Sequence, residues 1–154
     1  PKVEGALDSF NLSVQWSRRM NSLKLWVTLR VHGRRAYEDL IHRHFELSRS
    51  FAEWVRASED FELVTPPQLP SVIFRVRLPS GAADEVRAAN EAVVHEVTRD
   101  GRRWISTAIV GGRPVIRMLA ISYLSEGWHL EELKSALVAA RRTLRRETAR
   151  VTAA

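Results

Sequence analysis

The 154-residue chain is 45% hydrophobic and 27% charged, a globular balance that excludes disorder and low complexity. No apolar run reaches the ~18 residues a membrane span needs, and the absence of cysteine removes disulfide scaffolds, thiol chemistry and cysteine-based zinc sites. Twenty-four basic residues against eighteen acidic ones give a net charge of +6, but the arginines are scattered apart from Arg141, Arg142, Arg145 and Arg146. Nothing in Pro1 to Phe10 has the apolar stretch of a signal peptide, so an intracellular protein is expected.

From Leu12 to Val31, the residues Trp16, Met20, Leu23, Val27 and Val31 recur at helical spacing. Leu25, Trp26 and Leu29 widen that stripe, so this helix should be covered on most sides. Gly33 stands where a helix stops. A second helix follows through Tyr37, Leu40, Ile41, His44, Leu47, Phe51, Trp54 and Val55, ending near Ser58 to Asp60. Phe61 to Val64 reads as a short strand before Pro66, Pro67 and Pro70. Ser71 to Leu78 is a clearer one, with Val72, Phe74, Val76 and Leu78 alternating against Ser71, Ile73, Arg75 and Arg77. Ser80-Gly81 opens a helix with Asp84 and Glu85 early and a stripe of Val86, Asn90, Val93 and Val97.

Trp104 to Val110, Gly111-Gly112 and Arg113 to Ser122 form the strongest hairpin signal in the chain. Leu130, Leu133, Leu137, Ala140 and Leu144 then mark an amphipathic helix. Its outer face is expected to carry Glu131, Glu132, Lys134, Arg141, Arg142 and Arg145. This order predicts an α+β fold, an antiparallel sheet backed by helices. The first helix has more apolar surface than the remaining chain can cover, so it is read as docking on something outside.

The sequence lacks a phosphate loop, a His-Glu-x-x-His motif and a serine nucleophile elbow. His42 and His44, two apart, fall on different helix faces and are not read as metal ligands; no metal site is expected. His129 reads as a surface or capping residue. Trp16, Trp26, Trp54, Trp104 and Trp128 read as core rather than stacking platforms, and the last helix's arginines as a solvated face, so no nucleic-acid partner is expected.

Arg117 stands out. It interrupts the apolar strand Val115 to Ile121, and period two places it on the face of Val115, Leu119 and Ile121. A guanidinium there is costly to desolvate without an anion. Three readings stay open: a pair with an in-chain carboxylate such as Glu126, a side chain snorkelling at a sheet edge, or an anchor for a ligand carboxylate.

The string Arg18-Arg19-Met20-Asn21-Ser22-Leu23-Lys24-Leu25-Trp26, running on to Leu29-Arg30 and Gly33, resembles the R-R-x-x-x-L-K-L-W helix of the group II pyridoxal-phosphate-dependent amino acid decarboxylases. The likeness continues through His44, Val72-Ile73-Phe74-Arg75, Asn90-Glu91, Ile116 to Ile121 and the start of the last helix at His129. It spans about Leu7 to Ala139 and is closest to the aromatic amino acid branch.

The resemblance implies the small C-terminal domain of a fold-type I enzyme, preceded by a long interdomain helix. Residues 1–33 would be the end of an active-site loop and that helix, and residues 34–154 the small α+β domain. Arg117 matches the family's strand arginine, which in glutamate-type members approaches the substrate carboxylate. It is therefore the single substrate-binding candidate, with no catalytic or cofactor-binding residue assigned.

The family's cofactor-bearing lysine follows a histidine, and no His-Lys dipeptide occurs here; the only lysines are Lys2, Lys24 and Lys134. The ring-stacking histidine and the aspartate of the pyridine nitrogen are likewise absent. Pyridoxal phosphate would thus be bound mainly by an upstream domain, and this chain alone is not expected to be catalytic. It would be a fragment: a cloned domain, a proteolytic product or half of a split enzyme. The implied whole is a cytoplasmic homodimer acting on an aromatic L-amino acid. The alternative is a stand-alone, non-enzymatic interaction module of the same fold.

Overall fold

The structure, a computed structural model, describes residues 20–79 and 81–152, of which 147–152 are described by backbone alone. Trp16, Arg18, Arg19 and the expected loop end at Pro1 to Ser9 lie outside the described residues. The elements are α1 (Asn21–Ala57), β1 (Phe61–Thr65), β2 (Ser71–Val76), α2 (Ala83–Thr98), β3 (Ser106–Val110), β4 (Arg113–Leu119) and α3 (Gly127–Thr152). They fall into two compact units that divide between Glu38 and Asp39.

In the first unit α1 is interrupted at Gly33, whose φ of 77° and ψ of 165° belong to a region that a side chain disfavours. Expected as a stop and restart, this glycine is the joint between two helical stretches. Around it Arg30 lies over the Trp26 ring, 5.9 Å from its centroid, and Arg34 pairs with Glu38 at 2.6 Å. The widened apolar stripe is not covered: Leu23, Leu25, Val27, Leu29 and Val31 are exposed, and Trp26 is 60% exposed.

In the second unit four antiparallel strands run in the order β1-β2-β4-β3. Gly111 and Gly112, with φ of 55° and 74°, supply the two positive φ values that a tight hairpin turn between β3 and β4 demands. On β2, Val72, Phe74 and Val76 are buried while Ser71, Ile73 and Arg75 are only partly so, the expected alternation. The buried set faces Phe51 and Val55 of α1, Val93 and Val97 of α2, and Leu133 and Leu137 of α3 in one core. Phe74 sits in an aromatic cluster, its ring centroid 5.6 Å from Phe51 and 5.7 Å from Phe61.

Asn90, 1% exposed, shows why α2 sits where it does. Its Oδ1 accepts the Val76 N–H at 2.9 Å, where the β2–β4 register has already ended at Phe74–Ile116. The side chain replaces the missing strand carbonyl, so a buried donor stays satisfied and helix and sheet are tied together.

Two expectations fail. Trp104 and Trp128 are 80% and 54% exposed, and with Trp26 they leave only Trp54, against Phe51 and Phe61, in the packed interior among the described tryptophans. Arg141 does not sit on an outer face: it is 6% exposed, with Nε 3.6 Å from Asp60 Oδ1. Burial pulls its guanidinium below the ordinary arginine value, and the Asp60 charge opposes that shift.

Candidate functional site

The core lies on the sheet face of Val72, Phe74, Ile116 and Met118. On the opposite face β4 presents the exposed Arg117 beside the buried Val115, and the Cα partners of Arg117 are Ile73 on β2 and Ser106 on β3. Partnered residues share a face, so the guanidinium rises between a branched aliphatic and a hydroxyl side chain. Leu119 and Ile121 extend the same face along the chain and are 39% and 62% exposed.

Arg117 itself is exposed rather than buried, which corrects the expected desolvation cost: the apolar strand flanks the guanidinium without enclosing it. No ion pair joins Arg117 to Glu126, whose Oε2 accepts the Trp128 indole N–H at 2.9 Å. The sheet-edge reading fails too, because β4 is an inner strand.

The neighbouring cation behaves differently. Arg75, on the same face of β2, is paired with Glu62 of β1, and Arg77 reaches that carboxylate at 3.9 Å. Arg117 has no ion partner among the described residues, and so holds both arms of its fork free for an anion.

The exit from β4 is held firmly. Ala120 N donates to Pro70 O at 3.0 Å, and the adjacent carbonyls of Ser122 and Tyr123 are met from α1 by His44 Nε2 at 2.9 Å and Arg43 Nη2 at 2.8 Å. A carbonyl only accepts, so this His44 nitrogen carries the proton. His44 is 6% exposed, and sequence reading gave it no task, although it lies on the helix stripe and within the family likeness. The loop so fixed displays Ile121, Tyr123 and Leu124 outward. His129 caps α3 by accepting the Glu126 N–H at 3.2 Å through Nδ1, as a capping residue should.

Pyridoxal phosphate finds no cradle among the described residues. Lys24 is exposed on α1, and the Lys134 ammonium is engaged with Glu131 at 2.7 Å, its side chain mostly buried rather than on the outer face of α3 as expected. No group of three or more His, Cys, Asp or Glu among the described residues could hold a metal ion.

With this geometry in view, the class follows: residues 3–77 match the pyridoxal-dependent decarboxylase conserved domain. The chain belongs to the pyridoxal-phosphate-dependent decarboxylases and corresponds to their small C-terminal α+β portion. It is 30% identical over 127 residues to tryptophan decarboxylase 1 of Oryza sativa subsp. japonica, covering 80% of this chain and 25% of that protein. It is 34% identical over 111 residues to the L-2,4-diaminobutyrate decarboxylase of Acinetobacter baumannii, covering 71% of this chain and 22% of the relative. The crystal structure of Catharanthus roseus tryptophan decarboxylase in complex with L-tryptophan superposes with a TM-score of 0.72 at 28% identity, over 89% of this chain and 29% of that one. The chain thus spans about a quarter of the length of these curated relatives.

Proposed function

We propose that the chain is the closing domain of a pyridoxal-phosphate-dependent L-amino acid decarboxylase whose cofactor is held by an upstream domain. The observation that carries this reading is Arg117, an exposed guanidinium with no ion partner among the described residues, held in register between Ile73 and Ser106 on an inner strand. Pyridoxal phosphate, when bound, supplies an electron sink for the pair left behind as carbon dioxide departs.

The chain's own residues bind and exclude. Both Arg117 arms meet both carboxylate oxygens, which fixes the plane of that group and hence the direction of the breaking bond. Ile73, Leu119 and Ile121 around the fork keep water away once the face is covered, strengthening the contact. The exposed stripe of the first unit, Leu25, Trp26 and Val31 included, is assigned to the interdomain seat of residues 1–33, with 34–154 as the small domain. A homodimeric, cytoplasmic whole is part of the proposal; no described helix is long and apolar enough to cross a membrane.

The substrate is proposed to be aromatic, because named relatives include tryptophan, tyrosine and aromatic-L-amino-acid decarboxylases. The diaminobutyrate relative makes a cationic substrate the competing outcome. The test is carbon dioxide release from L-tryptophan, L-tyrosine, L-phenylalanine and L-2,4-diaminobutyrate by this chain joined to an upstream domain carrying a His-Lys motif. Turnover of an aromatic substrate is expected. The exposed first-unit stripe also suits a non-enzymatic interaction module; tight association with that domain and no release from any substrate would select that reading.

A further inference from the structure

A second cationic site lies away from the Arg117 face of the sheet, where α3 passes the start of β1. Asp60 is fixed there through its backbone: its N–H donates to Ser58 Oγ at 3.1 Å and its carbonyl accepts the Arg77 N–H at 2.8 Å. Its carboxylate is shared by the buried Arg141, at 3.6 Å, and by Arg145, at 2.6 Å. Arg145 is thereby tethered while its side chain remains 59% exposed. Arg142 and Arg146 stand beside it, exposed and without an ion partner among the described residues.

Arg142, Arg145 and Arg146 line a hollow of about 370 Å³ floored by Val138 and Asp60. Four guanidiniums therefore answer one carboxylate. The beneath-lying Arg141 contributes more than surface charge: its buried Nε, 3.6 Å from Asp60 Oδ1, has no hydrogen-bond acceptor among the described residues. A solvated helix face does not bury an arginine below the others. Nor does the helix dipole account for the cluster, because that effect fades within the last turn and α3 continues to Thr152.

We propose that this hollow binds a phosphate group, with Arg142 and Arg146 supplying free donor forks and Arg145 held in place by Asp60. A compact, multiply charged oxyanion can meet the forks that the single Asp60 carboxylate leaves unused. A free phosphate compound and a phospholipid headgroup share this chemistry.

The full chain is titrated with pyrophosphate by calorimetry and, separately, with phosphatidylcholine vesicles containing phosphatidic acid. Saturable one-to-one pyrophosphate binding is expected, weakened roughly 100-fold in the double variant Arg142→Gln/Arg146→Gln. The variant's unfolding midpoint should match that of the parent, since both side chains are exposed and unpaired among the described residues. Vesicle binding without pyrophosphate binding, lost in the same variant, would assign the site to a headgroup. The proposal is overturned if neither probe binds or if the double variant binds as the parent does.

Discussion

Arg117→Ala, made in this chain joined to an upstream domain carrying a His-Lys motif, is expected to lower kcat/KM by roughly 10- to 150-fold, the loss of a charged hydrogen-bonded contact of about 1.5–3 kcal/mol. Stability should change by no more than ~0.5 kcal/mol, because the side chain is exposed and unpaired among the described residues. Arg117→Lys keeps the charge but loses the two-armed fork, so it should fall between parent and alanine variant. The stability control separates a substrate contact from damage to the sheet. Steady-state kinetics of the three proteins at one pH checks this, and kinetics unaltered in the alanine variant would remove Arg117 from the site.

Phe74→Ala acts on a different link, that between packing and fold. Its ring is fully buried between Phe51, Phe61 and the helices, so truncation leaves a cavity that close-packed neighbours refill only in part. The expected loss is about 3–5 kcal/mol. Set against a typical total of ~5–15 kcal/mol, that brings the second unit close to unfolding. Phe74→Leu, closer in volume, should lose less. Urea unfolding followed by near-ultraviolet circular dichroism measures both, and an unchanged midpoint for the alanine variant would mean the aromatic cluster is not the core described here.

The elements were legible because each rests on local chemistry. Gly111-Gly112 announces its hairpin through φ values that other residues resist, and the β2 alternation is fixed by pleat geometry. Periodicity gives the face of a residue but not what covers it. Arg117, Leu119 and Ile121 share a face and are exposed, while Val115 on the same face is buried. For the same reason Trp26, on a stripe that reads as covered, is exposed. Arg141 is a different failure. It lies four residues after Leu137 and three before Leu144, on the shoulder of the apolar stripe, and its charge alone moved it to the outer face. Its partner Asp60 is distant in sequence and only the fold brings the two together.

In the proposed reading the amine that holds pyridoxal phosphate lies on an upstream domain, because an imine-forming cofactor needs one amine in one place and no His-Lys pair occurs in this sequence. The direct measurement is borohydride reduction of the joined, active protein loaded with pyridoxal phosphate, followed by peptide mapping. A reduced cofactor adduct is expected on a lysine of the upstream domain, with Lys2, Lys24 and Lys134 unmodified. An adduct on Lys24 or Lys134 that rises in step with activity would contradict the proposed reading.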